Sequence, residues 1–88
     1  MNHKHRKTLH SLFAHPISAN IDPRKVETTL GELGAEFDNR HGGRIGVRLK
    51  GHFAEFHFGQ HSLSKDQVVQ VKKYLEGCGV DPKRDYPL

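Results

Sequence analysis

The chain has 88 residues, of which 34% are hydrophobic, and a formal net charge of +4. A chain of this length forms one small domain with a thin core, which excludes a multidomain protein and a large buried catalytic chamber. A single cysteine excludes an internal disulfide, and no apolar run of about 18 residues is present to span a membrane. Residues 1–11 do not resemble a secretory signal, so we expect a soluble, cytoplasmic protein.

Two helices are predicted in the first third of the chain. The second is predicted from about residue 23 to residue 33, because Asp22 and Pro23 suit the N-cap and the first helical position. Gly34 suits the position after its C-terminus. The first is a short helix that stops near Pro16. Its apolar face is formed by residues at helical spacing, which are Leu9, Leu12, Phe13 and Ile17.

The hydrophobic period then changes to two, which predicts three short strands. The first covers residues 35–38 and is followed by a turn at 40–43. The second covers residues 44–50, and Lys50-Gly51 forms a tight turn into a third strand at 52–58.

A capped helix is predicted to follow the strands. Ser64 and Gln67 form a capping box, and Gly77 and Gly79 end the helix. Cys78 lies on its apolar face, so we expect a buried, unreactive thiol. Residues 81–88 carry two prolines and are expected to fray.

These elements predict an α+β fold in the order α-α-β-β-β-α. Helices cover one face of a three-stranded antiparallel sheet and leave the other face open. Residues 1–20 form a basic arm and a short helix, residues 21–80 a single domain, and residues 81–88 a tail.

The two-residue turn fixes the register of the second and third strands. Leu49 then opposes His52, and Arg44 opposes His57. This register places Ile45, Val47, Ala54 and Phe56 together on the core face, and a one-residue slip would scatter them. The open face then carries six exposed side chains, which are Arg44, Arg48, Lys50, Phe53, Glu55 and His57.

This set suits RNA, because cations contact phosphates and a flat ring stacks on a base. Cleavage of RNA further requires a general base, a general acid and cations that stabilise the charged transition state. Arg44, His57 and Glu55 are candidates for those roles. The alternative is an ordinary solvated face, on which Arg44 and Glu55 form a surface ion pair worth under ~1 kcal/mol.

Further cations extend the predicted RNA-binding set. Lys4, Arg6 and Lys7 lie in the basic arm, for which a solvated terminus is the alternative. Lys65 lies at the start of the last helix. The spacing of His57 and His61 would suit a metal only on a helix, and this stretch leaves a strand, so we expect no metal site.

Several of these residues resemble the HicA-type toxins. The matching stretches are His41-Gly42-Gly43-Arg44 and residues 63–65 and 75–80, and residues 4–21 resemble the N-terminal extension of a longer HicA-like subgroup. The resemblance implies a double-stranded-RNA-binding-domain-like fold and a small ribonuclease that cleaves messenger RNA and stops translation. It also implies inhibition by a HicB-like antitoxin and a reaction that needs no metal or other cofactor.

One position departs from the family pattern. HicA-type toxins have a histidine after the glycine pair, whereas this chain has Arg44, which stays protonated and cannot act as a general base. Either catalysis is lost, leaving a module that binds RNA or an antitoxin, or another imidazole replaces the missing one. The candidates, in order, are His57, His61 and His41, and for each the alternative is an ordinary surface histidine.

Overall fold

The structure is a computed structural model that describes residues 1–18, 20–39, 41–59 and 61–88. It confirms the predicted α+β fold, a three-stranded antiparallel sheet with helices. The order is compatible with a double-stranded-RNA-binding-domain-like arrangement. The elements are α1 (His3–Leu12), α2 (Pro23–Glu32), β1 (Glu36–Asn39), a 3-10 turn (His41–Gly43), β2 (Ile45–Leu49), β3 (His52–Phe56), α3 (Lys65–Gly77) and α4 (Pro82–Asp85).

The β2–β3 hairpin has the predicted register. Its five pairs run from Leu49 opposite His52 to Ile45 opposite Phe56. The sixth predicted pair, Arg44 with His57, lies beyond the ends of the two strands. Lys50 and Gly51 have φ angles of 52° and 81°. Two consecutive left-handed residues form the turn whose twist matches that of the flanking strands, which is why glycine suits the second position. β1 pairs with the other edge of β2, so the strand order is β1-β2-β3.

A single core joins the helices to one face of the sheet. The predicted register is consistent with it, because Ile45, Val47 and Leu49 of β2 are all buried. Cys78 is also buried, as predicted, and burial raises the pKa of its thiol. The helices contribute Leu9 and Leu12 from α1, Val26 and Leu30 from α2, and Val68, Val71 and Leu75 from α3.

Tyr74 fastens α3 to the hairpin. Its hydroxyl oxygen lies 2.8 Å from the carbonyl oxygen of His52 and 3.2 Å from that of Val47. Burial, followed by the nearby Cys78 thiol, raises the pKa of Tyr74 to about 12. The hydroxyl therefore keeps its proton, which it donates to the hairpin backbone.

The basic N-terminal segment is helical, and α1 begins and ends earlier than the apolar spacing suggested. Asn2 is the N-cap, and its side-chain oxygen accepts a hydrogen bond from the His5 amide at 2.9 Å. His5 also contacts the carboxylate of Glu32, which joins α1 to α2. Phe13 is the C-cap, so Ile17 lies beyond the helix.

The expectation that residues 81–88 fray is wrong for residues 81–86. Asp81 caps α4, accepting hydrogen bonds from the amides of Lys83 and Arg84 at 3.1 and 3.3 Å. The His10 side chain of α1 donates to the carbonyl of Tyr86 at 2.7 Å. Pro82 is compatible with this structure, because it occupies the first helical turn, where its missing N–H is not needed.

Truncation of the core tests the position of α2. We expect Leu30→Ala to lower the free energy of unfolding by about 2–5 kcal/mol, because Leu30 is fully buried and the substitution leaves a cavity. Urea denaturation measures this loss. Leu88→Ala is the control, since Leu88 is 65% exposed and its truncation should change stability by less than about 0.5 kcal/mol. Equal effects would contradict the packing described.

One carboxylate makes the stability of α4 depend on pH. The hydrogen bond from Arg84 lowers the pKa of Asp85 to about 2. Because the pKa is lower in the folded state, the stabilisation is present above the ordinary carboxyl pKa and disappears as the pH falls toward 2. NMR titration should find this low pKa in the wild type and a value nearer the ordinary one in Arg84→Ala. Lys83→Ala should leave the pKa of Asp85 low, and an ordinary value in the wild type would contradict the ion pair.

Candidate nucleic-acid interface

The predicted imidazole lies beside the glycine pair at the end of the β2–β3 hairpin. A methyl group at Gly43 would lie 3.5 Å from Nε2 of His57. Gly43 has a φ of 76°, a left-handed conformation that suits glycine and brings the backbone against the ring. Arg44 follows directly, and the side chains of Arg44 and His57 are both exposed. A guanidinium and an imidazole are therefore both presented to solvent at this end of the hairpin.

Gln67, the second member of the capping box of α3, holds the backbone of His57. The Gln67 side-chain carbonyl accepts from the Ser64 amide at 2.8 Å, which closes the capping box. The Gln67 side-chain N–H donates to the main-chain carbonyl of His57, also at 2.8 Å. One amide thus joins the start of α3 to the end of the hairpin. Lys65, the first residue of α3, is exposed at the same helix start.

The open face of the sheet is less basic than β2 and β3 alone suggested. The strand pairing places Glu36 beside Arg48 and Asp38 beside Gly46, on the same face as Glu55. These three carboxylates equal in number the cations predicted for the face, which are Arg44, Arg48 and Lys50. Counted over the described residues, a face with equal numbers of both charges attracts a polyanion less than a basic face does.

His61 lies in a different place from His57. It lines a cleft of about 430 Å³ between the start of α2 and the segment after β3, together with Arg24, Glu27 and Phe58. A hydrogen bond of 2.9 Å from the Leu63 amide to the Ile21 carbonyl holds the two sides together. We name this space the histidine cleft.

A smaller cleft continues from the histidine cleft toward the hairpin. It has a volume of about 190 Å³, shares Glu27 and Phe58 with the histidine cleft, and extends to Gly43 and Arg44. The Phe58 ring is half-buried because it stacks on Phe56, with ring centres 5.4 Å apart. The two clefts therefore share walls, and we name the pair the groove; it extends from Arg24 to Arg44, with a carboxylate and an aromatic ring between the two cations.

The other predicted residues are distributed over the surface. Phe53 is 48% exposed and pairs with Arg48 across the open face. Lys50 occupies the hairpin turn and is exposed. The backbone of His41 begins the 3-10 turn, whereas its side chain and Arg40 lie outside the described residues. The three cations of the predicted arm lie on α1, with Lys4 and Lys7 exposed and Arg6 half-buried.

Sequence reasoning missed several residues of this region. It identified Gln67 as part of a capping box but could not find its second hydrogen bond, which reaches back ten residues. Arg24 and Glu27 lie on an amphipathic helix, where charged residues are ordinary. Glu36 and Asp38 were identifiable from the sequence, because their alternation with Ala35 and Phe37 assigns them to the open face.

The comparisons with known proteins add no identification. The chain has no significant match to a protein-family model, a curated protein or a solved structure. Within the described ranges, no group of three or more His, Cys, Asp or Glu side chains is arranged to hold a metal ion. No helix in the same ranges is long and apolar enough to cross a membrane.

The hydrogen bond from Gln67 predicts a specific mutational pattern. Gln67→Glu keeps an acceptor for the Ser64 amide but loses the donor to the His57 carbonyl. We expect a loss of stability of about 1 kcal/mol, together with shifted NMR resonances of the His57 amide and ring.

Ser64→Ala is the matched control for this prediction. It removes the hydroxyl that accepts from the Gln67 amide at 3.2 Å but leaves the Gln67–His57 hydrogen bond in place. A similar loss of about 1 kcal/mol is expected, with unchanged His57 resonances. Identical spectra of the wild type and Gln67→Glu around His57 would contradict the positioning role.

Proposed function

We propose that this protein is an RNA-directed toxin of the HicA type, an endoribonuclease that cleaves messenger RNA without a metal ion. The observation that supports it most is the position of His57, whose ring nitrogen lies beside Gly43 where the family pattern requires an imidazole. The side chain comes from the partner strand instead of from position 44. Arg44 is then available for a different role, that of a phosphate ligand.

The proposed reaction is transesterification within the RNA chain. A general base removes the proton of a ribose 2′-hydroxyl, and the 2′-oxygen attacks the neighbouring phosphorus. The bond from phosphorus to the 5′-oxygen of the next nucleotide breaks, and a general acid protonates that oxygen. The products are a 2′,3′-cyclic phosphate and a free 5′-hydroxyl, so no water is consumed.

The residues divide these tasks according to their chemistry. Arg44 neutralises the charge that develops on the non-bridging phosphate oxygens. His57 exchanges a proton with the reacting oxygens, since an imidazole nitrogen can accept a proton or donate one. Glu55 is the candidate for the second proton-transfer group, because it is exposed near the end of β3, two residues before His57. His61 is the alternative, acting from the histidine cleft.

Substrate binding in this proposal uses both the sheet and the groove. Arg48, Lys50, Phe53 and Lys65 contribute cations and a ring around the hairpin. The mixed charge of the open face means that these contacts orient the RNA more than they attract it.

A HicB-like antitoxin is the proposed protein partner, and the cytoplasm, where messenger RNA is translated, is the proposed location. Exposed Phe53 is a suitable apolar contact for such a partner, because aromatic side chains are enriched in protein interfaces. Capture of the antitoxin at this face would cover Arg48 and the hairpin.

The second candidate function is a module that binds RNA or an antitoxin without cleaving RNA. Arg44 itself favours it, because arginine stands where the family has its catalytic histidine and cannot accept a proton at neutral pH. The same face and the same partners serve both functions, so only a test of bond cleavage separates them.

Incubation of the purified protein with RNA in EDTA is the decisive assay. We expect cleavage that leaves 2′,3′-cyclic phosphate ends, and a fall of about 10²-fold or more in His57→Ala. His61→Ala, His41→Ala and Glu55→Gln test the other candidates, and His15→Ala controls for loss of an exposed imidazole. Thermal unfolding of each variant verifies its fold. Intact RNA after incubation with folded wild-type protein would contradict the ribonuclease and leave the binding module.

A further inference from the structure

A second cleft on the helical side of the molecule concentrates positive charge. It has a volume of about 490 Å³ and lies where α1 faces the segment that leads into α2. Lys4 and Lys7 of α1 and Lys25 of α2 line it, and Asp22 is the one carboxylate among its described lining residues. Among the described residues, no ion pair joins these three ammonium groups to a carboxylate. We name it the lysine cleft.

The polar groups between the lysines suit a phosphate. Ser11, Ser18 and Asn20 line the same cleft and supply hydroxyl and amide donors. The Thr8 hydroxyl is occupied, since it donates to the Lys4 carbonyl at 3.2 Å, and the Asp22 carboxylate accepts from the Arg24 amide at 2.9 Å. None of the described lining residues is aromatic, so the cleft offers contacts to a phosphate and sugar but no surface on which a base stacks.

The lysine cleft adjoins the groove that leads to His57. Asp22 lines both the lysine cleft and the histidine cleft, so the start of α2 separates two neighbouring spaces. Glu27 and Phe58 join the histidine cleft to the space beside Arg44. Gly43, at the end of that space, lies beside His57, since a methyl group added at Gly43 would lie 3.5 Å from the His57 ring. A chain of clefts with shared walls thus leads from α1 to the end of the hairpin.

We propose that the lysine cleft is a distal phosphate subsite for a single-stranded RNA whose other end lies at Arg44 and His57. The assignment of RNA as the ligand rests on the proposed function. The cleft supplies the cations that the balanced sheet face lacks, and its position sets a minimum length for a substrate that uses both sites. A free phosphorylated small molecule would present the same phosphate group to the lysine cleft.

RNA length and salt dependence test this subsite. No two sites on the molecule lie farther apart than its long axis of 36 Å, so a 12-nucleotide strand, with a phosphate at least about every 3.4 Å, is long enough to contact both sites, and a 4-nucleotide strand is the short probe. The test variant is Lys4→Gln, Lys7→Gln and Lys25→Gln combined, because glutamine is a comparable helix former without charge. The control, Lys72→Gln, Lys73→Gln and Lys83→Gln combined, removes equal charge from α3 and α4. Fluorescence anisotropy with unlabelled competitors in EDTA measures the affinities. If the protein cleaves RNA, His57→Ala is added to both variants and to their parent so that the RNA stays intact.

The subsite predicts a difference that depends on strand length. The test variant should bind the 12-nucleotide RNA on the order of tenfold more weakly, and its log–log salt slope should fall by about 0.7 for each phosphate that the lysines no longer neutralise. Its affinity for the 4-nucleotide RNA should equal that of the control variant. Inorganic phosphate should not displace the long RNA at millimolar concentration, because a single phosphate contacts only one part of the chain of clefts.

Three results would overturn the proposal. Equal weakening by the test and control variants would mean that only net charge matters. Saturable binding of inorganic phosphate that requires the three lysines, without any effect of these lysines on RNA affinity, would assign the cleft to a small phosphorylated ligand. Failure of the parent to bind either RNA would remove the subsite and the proposed function together. Length-dependent binding without cleavage would support the subsite and contradict only the ribonuclease.

Discussion

The register of the β2–β3 hairpin is the constraint on which the rest of the molecule depends. Lys50 and Gly51 both adopt positive φ angles, so the turn spans two residues and every later pair is fixed. A slip of one residue would place Val47 in solvent and bring Arg48 into the core. The same register carries His57 to the level of Gly43, although the two residues are far apart along the chain, and so determines which side chains meet at the end of the sheet.

Two side chains of α3 fasten the hairpin to the helical layer. Tyr74 holds the middle of the hairpin to α3, and Gln67 holds its far end at the His57 carbonyl. Both side chains donate to the hairpin backbone, so they position it without occupying its exposed side chains. The candidate functional surface thereby consists of exposed groups on a backbone that is fastened from behind, the arrangement that the proposed positioning of His57 requires.

The sequence predicts local features here better than distant contacts. The N-cap Asp22, the capping box of Ser64 and Gln67, and the hairpin register each depend on residues close in the chain, and all three are confirmed. The helical start of α1 and the ordered tail were not predicted, because they depend on packing between opposite ends of the chain, such as the hydrogen bond from His10 to Tyr86. Hydrophobic periodicity carries no information about such partners.

The candidate site likewise has features that the sequence predicts and features that it does not. Alternation along the strands placed Arg44 and His57 on exposed positions at one end of the sheet, yet the acidic contribution of β1 to that face was overlooked. The clefts were beyond prediction, because the lysine cleft joins residues of α1 to Lys25, and the groove joins α2 to the segment after β3. Single charged residues on amphipathic helices look like ordinary solvated positions until the fold places them side by side.

The central claim is that RNA contacts the end of the hairpin where His57 lies beside Gly43. An NMR titration of the labelled protein with a single-stranded 12-nucleotide RNA tests it most directly. The account predicts the largest amide and imidazole shifts at Gly43, Arg44 and His57, with smaller shifts continuing through the groove to Lys7. Saturable shifts confined to the surface formed by α3 and α4, or a complete absence of shifts at low salt, would contradict it.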